Sequence, residues 1–436
     1  MSRRPLAGAV FAFVMLLLLG VDPAEATYSI VACDAKTHEC GVAVQTNNLA
    51  VGASVPYAQA GVGALASQFE TNPHYGPRGL ALLAQGLAPA DVLKELLAND
   101  GNFDGEGIAA RQIGLVSVDG RAANYTGEEA MRAQWAGARS GNGYSVQGNG
   151  LVGAKVLEQM EHAFLQTPGS LAEKLMAALT AGDAAGGQKT GRESAALLVK
   201  TLDGFPMDID LRVDDARDPV GDLRKLFDMQ SARQQVIDAS VAARKGEFER
   251  AKTQLLAAVA QAHDWPRVSI RAARVAENIE EPALALQYLT SAFTQNPAWA
   301  DSEIGDGDYA ELGGTAQFHR WVTAAQERNA ATAANQLHEA PAATLEARIA
   351  VARRLLEVGH ASDALAILRV VTPESQDAPE STELRLLRST AYEAMGDAAK
   401  ALEECTAALT KEPHASRVLL RRERLKRAIA AQHPAN

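Results

Sequence analysis

Thr27-Tyr28-Ser29-Ile30-Val31-Ala32-Cys33 and Cys40-Gly41-Val42-Ala43-Val44 flank the polar stretch Asp34-Ala35-Lys36-Thr37-His38-Glu39. Two short runs rich in apolar and β-branched residues around a polar turn predict a β-hairpin. Opposed non-hydrogen-bonded positions of a hairpin bring Cα atoms to about 4.5 Å, within reach of a disulfide. Cys33 and Cys40 are therefore read as a cross-strand disulfide, with two reduced, half-buried thiols as the alternative. The third cysteine, Cys405, is read as a packed helix residue.

What precedes the hairpin reads as an export signal rather than as part of the fold. Arg3 and Arg4 make a positive start, Ala7 to Gly20 is apolar, and Ala24-Glu25-Ala26 offers the small-x-small pattern that signal peptidase cuts. The apolar run is shorter than the roughly 20 residues a membrane span needs. Residues 1–26 are thus expected to be a signal peptide, and the mature chain to be periplasmic or secreted, where an oxidising compartment supports the disulfide. Cleavage after Ala26 makes Thr27 the new N-terminus. That residue then carries a hydroxyl and a free α-amine whose ordinary pKa is about 7.7–8.0, so that part of the amine is neutral near pH 7 and can take the hydroxyl proton. Against this stands the fact that signal peptidase cuts before many residue types and that threonine favours strands in any case.

Downstream, the pattern mixes strands and helices as far as about residue 228. β-like runs occur at Tyr28–Cys33, Cys40–Val44, Gly61–Ser67, Ile113–Val118, Tyr144–Gln147, Ala195–Leu202 and Ile209–Val213. Helical patterns occupy Pro77–Gln85, Pro89–Leu97, Lys155–Phe164, Ser170–Ala181 and Pro219–Phe227. Strands, two helices, strands, two helices, strands: this order favours an α+β layered sandwich over a doubly wound parallel sheet. After residue 229 the strand signals stop. Gly246, Gly359 and Gly396 are each followed five residues on by alanine, at Ala251, Ala364 and Ala401, and Glu280 with Ala285 occupies the same relative places. These are helix-turn-helix units with a period that resembles tetratricopeptide repeats, interrupted between Asp301 and Ala340; a plain helical bundle is the alternative.

The runs Thr27 to Asp34, Gly41 to Val44, Ala50-Val51-Gly52, Gly61 to Ala64, Asn72-Pro73-His74-Tyr75-Gly76-Pro77-Arg78-Gly79, Arg111 to Gly114, Tyr125-Thr126-Gly127, Trp135-Ala136-Gly137, Gln147-Gly148-Asn149, Gly191 to Leu197 and Asp210 to Asp215 resemble, in order, the domain-of-unknown-function family 1028. That resemblance implies an αββα sandwich similar to N-terminal-nucleophile hydrolases, with Thr27 as nucleophile. Members of the family that start Met-Thr would expose the same threonine by losing methionine. Cys33, Cys40, Tyr125 and Glu193 depart from the family's commoner residues. The resemblance implies a reaction class and no substrate.

Further candidates are Asn72, Gln147, Asn149, Arg192 and Ser194, at strand ends or in turns, where amide or backbone donors could hold an oxyanion. Each is equally read as a turn-stabilising polar residue. Gly148-Asn149-Gly150-Leu151-Val152-Gly153 fits a dinucleotide fingerprint, but the element after its helix is another helix, so these read as turn glycines. Asp100 to Glu106 begins like a calcium loop, yet its twelfth position is Arg111, which cannot ligate. The nine histidines make no paired ligand spacing, and no G-x-S-x-G elbow is present. No cofactor and no metal are therefore expected.

Composition narrows the partners. The 436 residues carry 42 Lys+Arg against 53 Asp+Glu, a net charge of −11, with 47% hydrophobic residues. That balance suits a folded core and gives no basic footprint for nucleic acid or an anionic membrane. The expectation is an exported amidohydrolase with two parts, 27–228 catalytic and 229–436 helical repeats. It cleaves a small amide or peptide-like substrate through Thr27 and engages a protein partner through the repeats. The alternative is a non-catalytic periplasmic binding or scaffold protein.

Overall fold

A computed structural model describes residues 26–132, 135–304, 309, 312, 315–323, 345–357, 359–369 and 381–432. The expected signal peptide, apart from Ala26, lies outside these residues, as does much of the stretch between Asp301 and Ala340. The chain divides into two compact units, one ending at Phe227 and the other beginning at Asp228.

The first unit is built on ten antiparallel strands. They are β1 (Thr27–Cys33), β2 (Cys40–Thr46), β3 (Pro56–Gln59), β4 (Gly63–Phe69), β5 (Arg111–Ser117), β6 (Ala122–Thr126), β7 (Trp135–Gly141), β8 (Tyr144–Leu151), β9 (Ser194–Lys200) and β10 (Ile209–Val213). One sheet has the order β10-β9-β2-β1-β8-β7, the other β3-β4-β5-β6. Strand alternation sorts β1 into two faces. Tyr28, Ile30 and Ala32 join Leu157, Met160, Leu175 and Leu179 of helices α4 (Lys155–Gln166) and α5 (Leu171–Ala184) in one core. Val31 and Cys33 instead meet Val42, Val44, Ala64, Ala66 and Val116 between the sheets. On the far side Leu65, Ile113 and Leu115 pack on α1 (Tyr75–Ala84) and α2 (Pro89–Ala98), and a short α3 (Glu128–Arg132) follows β6 in the chain. The layers are helix, sheet, sheet, helix: the αββα sandwich expected above.

All seven expected strands and the four helices before Pro219 are present, with ends shifted by a few residues. Three strands carried no legible signal. β3 contains Pro56, β7 (WAGARSG) breaks its apolar pattern with glycines and charge, and β6 is half-buried throughout. One correction matters for the site: Gly148, Asn149 and Gly150 are not turn residues but the end of β8, which runs past Gln147 to Leu151. Glycine weakens strand propensity, which hid this extension.

Cys33 pairs with Cys40 in the β1–β2 register, and the two form a disulfide with Cα atoms 4.1 Å apart. Non-reducing peptide mapping is expected to recover this cross-link, with Cys405, which is fully buried, alkylating only after unfolding. Its removal should cost roughly 2–3 kcal/mol, because the closed loop is short. Alkylation of both Cys33 and Cys40 in native protein would contradict it.

The boundary between units falls within helix α6 (Pro219–Arg244), which the sequence pattern had ended at Phe227. The second unit continues with α7 (Phe248–Gln261), α8 (Pro266–Asn278), α9 (Pro282–Gln295), α10 (Pro297–Ile304), α11 (Leu345–Glu357), α12 (Ala361–Leu368), α13 (Thr382–Ala394), α14 (Ala398–Lys411) and α15 (Ser416–Gln432). Gly246, Gly359 and Gly396 sit between paired helices with φ of 79°, 83° and 82°. Only glycine takes that conformation freely. Glu280, at the equivalent place, also adopts φ 64°. Ala251, Ala285, Ala364 and Ala401 are all fully buried, small enough for neighbouring helices to approach closely.

Candidate active site

Pairing Cys33 with Cys40 also pairs Thr27 with Thr46 on one side, while β8 places Asn149 against Thr27 on the other and β9 places Ser194 against Thr46. One row across the sheet end therefore reads Ser194, Thr46, Thr27, Asn149. Alternation directs this row between the sheets, together with Ser29 and Gln147 one step further in.

Thr27 is 5% exposed and preceded here by Ala26, so its nitrogen is a peptide nitrogen. That N–H donates to Asn149 Oδ1 at 3.1 Å. Thr46 Oγ1 donates to the Ala26 carbonyl at 2.9 Å, which leaves it as acceptor for the Thr27 hydroxyl at 3.0 Å. The backbone N–H of Asn47 reaches the same Ala26 oxygen at 3.3 Å. Two donors thus converge on the carbonyl bonded to Thr27.

A chain of carboxamides fixes this arrangement from behind. Asn149 Nδ2 donates to Gln112 Oε1 at 2.9 Å, so Asn149 must turn its oxygen toward Thr27. Gln68 Nε2 donates to the same Gln112 oxygen at 2.8 Å and to the Thr27 carbonyl at 3.3 Å. Ser29 Oγ donates to Gln68 Oε1 and accepts from Gln147 Nε2, each at 2.6 Å. Gly114 leaves room for that Gln147 side chain: a Cβ there would lie 2.0 Å from Gln147 Oε1. Buried polar groups cost stability unless paired, and here the pairing runs across both sheets.

The other expected candidates have different surroundings. Ser194 Oγ donates to the Asn48 carbonyl at 2.5 Å and accepts from Val51 N–H at 3.0 Å, holding the loop that follows Asn47. Arg192 grips both oxygens of Asp183 at 2.7 and 2.6 Å, with Asp218 at 3.8 Å. Asn72 lies just ahead of α1 and donates to the Asp100 carbonyl and to its carboxylate, both at 3.0 Å. The Asp100 carboxylate is taken by Arg111, Tyr75 and Asn72, so the loop's first calcium-like oxygen is already engaged. Among the described residues no group of three His, Cys, Asp or Glu side chains could hold a metal.

Sequence reading missed Thr46, Asn47, Gln68 and Gln112. Thr46 was within reach, because the hairpin register that joins the cysteines also sets it opposite Thr27. Gln112 and Gln68 belong to the other sheet, and no spacing in the sequence announces their approach.

The first unit is thus an αββα sandwich with a threonine at the end of a central strand, held by uncharged polar side chains. Residues 27–223 match the family described as "Family of unknown function (DUF1028)", and the chain belongs to it. The crystal structure of a Silicibacter pomeroyi protein assigned to that family is 31% identical, the match covering 46% of this chain and 84% of that one with a TM-score of 0.42. The P58(IPK) TPR domain is 15% identical over 49% of this chain and 69% of its own, with a TM-score of 0.20. No curated protein matches the chain. No helix of the described residues is long and apolar enough to cross a membrane. The disulfide is compatible with an extracytoplasmic protein.

Proposed function

We propose that this chain is an exported N-terminal-nucleophile amidohydrolase in which removal of residues 1–26 frees the amine of Thr27. The observation that carries this reading is the pair of donors, Thr46 hydroxyl and Asn47 N–H, on the carbonyl oxygen of Ala26. Once Ala26 has left, the same two donors point at the position that the carbonyl oxygen of a substrate amide would take.

The steps then balance. The Thr27 hydroxyl attacks the amide carbon and passes its proton to the Thr27 amine; the oxyanion is held by Thr46 and Asn47. Collapse breaks the C–N bond, the leaving nitrogen takes the proton back from the ammonium, and an ester on Thr27 Oγ1 remains. Water, deprotonated by the same amine, hydrolyses it. Asn149 Oδ1, fixed by Gln112, orients the amine. Hydroxyls and carboxamides with no ionised side chain suit a small, uncharged amide or peptide-like group.

Reacting purified mature protein with an electrophilic β-lactone and mapping the adduct by mass spectrometry tests this. The label is expected on a peptide beginning at Thr27. A mature chain that starts upstream of Thr27, or a label that falls elsewhere, rejects the reading.

A further inference from the structure

Ala26 is fully buried, and one residue meets its backbone twice. Asn47 donates its own N–H to the Ala26 carbonyl at 3.3 Å and accepts the Ala26 N–H on Oδ1 at 3.0 Å. An extended residue turns its N–H and its C=O to the same side, which is how two residues exchange a pair of bonds in an antiparallel ladder. Here a side-chain oxygen stands in for the partner strand's carbonyl. A single asparagine therefore reads both backbone groups of the residue before Thr27.

The direction of the Asn47 carboxamide is set from outside. Its Nδ2 donates to Thr190 Oγ1 at 2.9 Å, so Oδ1 is turned toward Ala26. Thr190 lies in a loop pinned to the end of β8, where Lys189 N–H reaches the Gly150 carbonyl and Val152 N–H the Gly187 carbonyl, both at 3.1 Å. The same strand carries Asn149 to Thr27. Two carboxamide oxygens, one from Asn149 and one from Asn47, are thus aimed at the backbone nitrogens on either side of the Ala26 carbonyl.

Hydrolysis of a simple amide needs the nucleophile and the oxyanion donors. An acceptor placed for an N–H one carbon away from the carbonyl asks for more: a nitrogen on the α-carbon of the acyl group. We propose that the acyl half of the substrate is an N-acylated α-amino acid residue, seated as Ala26 is, with its N–H on Asn47 Oδ1 and its carbonyl oxygen on Thr46 and the Asn47 N–H. Asn47 then selects peptide-like acyl groups over simple fatty or aryl ones, and Thr190 positions it. This inference rests on the reading of Thr27 as nucleophile.

Aldehydes test it without a leaving group, because the Thr27 oxygen adds to the aldehyde carbon and its proton ends on the former carbonyl oxygen, giving a hemiacetal. Purified mature protein is treated with the β-lactone in the presence of N-acetylalaninal or of its ester isostere 2-acetoxypropanal, in which oxygen replaces the N–H. Labelling of Thr27 is followed by mass spectrometry. N-acetylalaninal is expected to protect Thr27 at about tenfold lower concentration than the ester. In Asn47→Ala, which keeps the backbone N–H but not Oδ1, the two should differ by less than about threefold. In Thr190→Val, at an exposed position, the preference should shrink while the melting temperature holds. Labelled Thr27 with equal protection by both aldehydes, with protection by neither, or with the full preference kept in Asn47→Ala (in Thr190→Val, should the first variant not fold) overturns this inference and leaves the nucleophile standing. Thr27 without label rejects both.

Discussion

Thr27→Ala is expected to abolish amide hydrolysis, by at least about 10⁴-fold in kcat/KM, while the fold survives. The substitution deletes one hydroxyl, whose hydrogen bond to Thr46 Oγ1 at 3.0 Å is worth about 1 kcal/mol. Alanine fits the strand and leaves the Cys33–Cys40 hairpin untouched. Thr27→Ser keeps both hydroxyl and amine and should retain measurable turnover. Inserting one alanine between Ala26 and Thr27 separates the two groups: the hydroxyl persists, but the base becomes a peptide nitrogen, and most of the rate should go. Should that insertion variant, with its extra alanine still present in the purified protein, turn over substrate like the wild type, Thr27 would not be using its own amine.

The largest effect on stability is expected at Arg111. Its side chain is 1% exposed, paired with Asp100 at 3.1 Å, and it also donates to the carbonyls of Glu70, Phe103 and Glu106 at 3.0, 2.9 and 2.8 Å. Arg111→Leu strands the buried Asp100 carboxylate and should cost roughly 3–5 kcal/mol, read as a shift in the urea midpoint. Asp100 also predicts a pH dependence. Burial pushes its carboxyl up, but hydrogen bonds from Arg111, Tyr75 and Asn72 outweigh that and hold it below the usual value. A carboxyl depressed in the folded state adds stability that is present above its unfolded pKa, about 3.9, and lost as pH falls through the folded one. The wild type should therefore lose stability below about pH 4, and Asp100→Asn should show less of that loss. An unchanged urea midpoint in Arg111→Leu would mean the loop holds α1 without this network.

These two outcomes differ in how far they can be read from residues alone. The alternation of Thr27–Cys33 and Cys40–Thr46, the polar turn between them and the cysteines at their ends determine a hairpin and its register and set the two cysteines opposite each other, while the structure decides for the disulfide over two reduced thiols. The same register determines that Thr46 faces Thr27. Apolar residues at helical spacing determine α4 and α5, and recurring glycines mark the turns of the second unit. These are signals within a few residues of one another, and local geometry enforces them. Asn149 was a candidate by its type, but that it stands beside Thr27 depends on β8 extending through Gly148 and Gly150, against their propensity, because pairing with β1 supplies the hydrogen bonds. Gln68 and Gln112 reach Thr27 because the second sheet stacks on the first and its alternate residues face inward. Arg111 looked like a spoiled calcium position and is a buried cation that organises the loop. A period of two tells each strand which residues share a face. Which strand lies opposite, and at what register, is settled by long-range packing of both faces at once, and that only the tertiary structure decides.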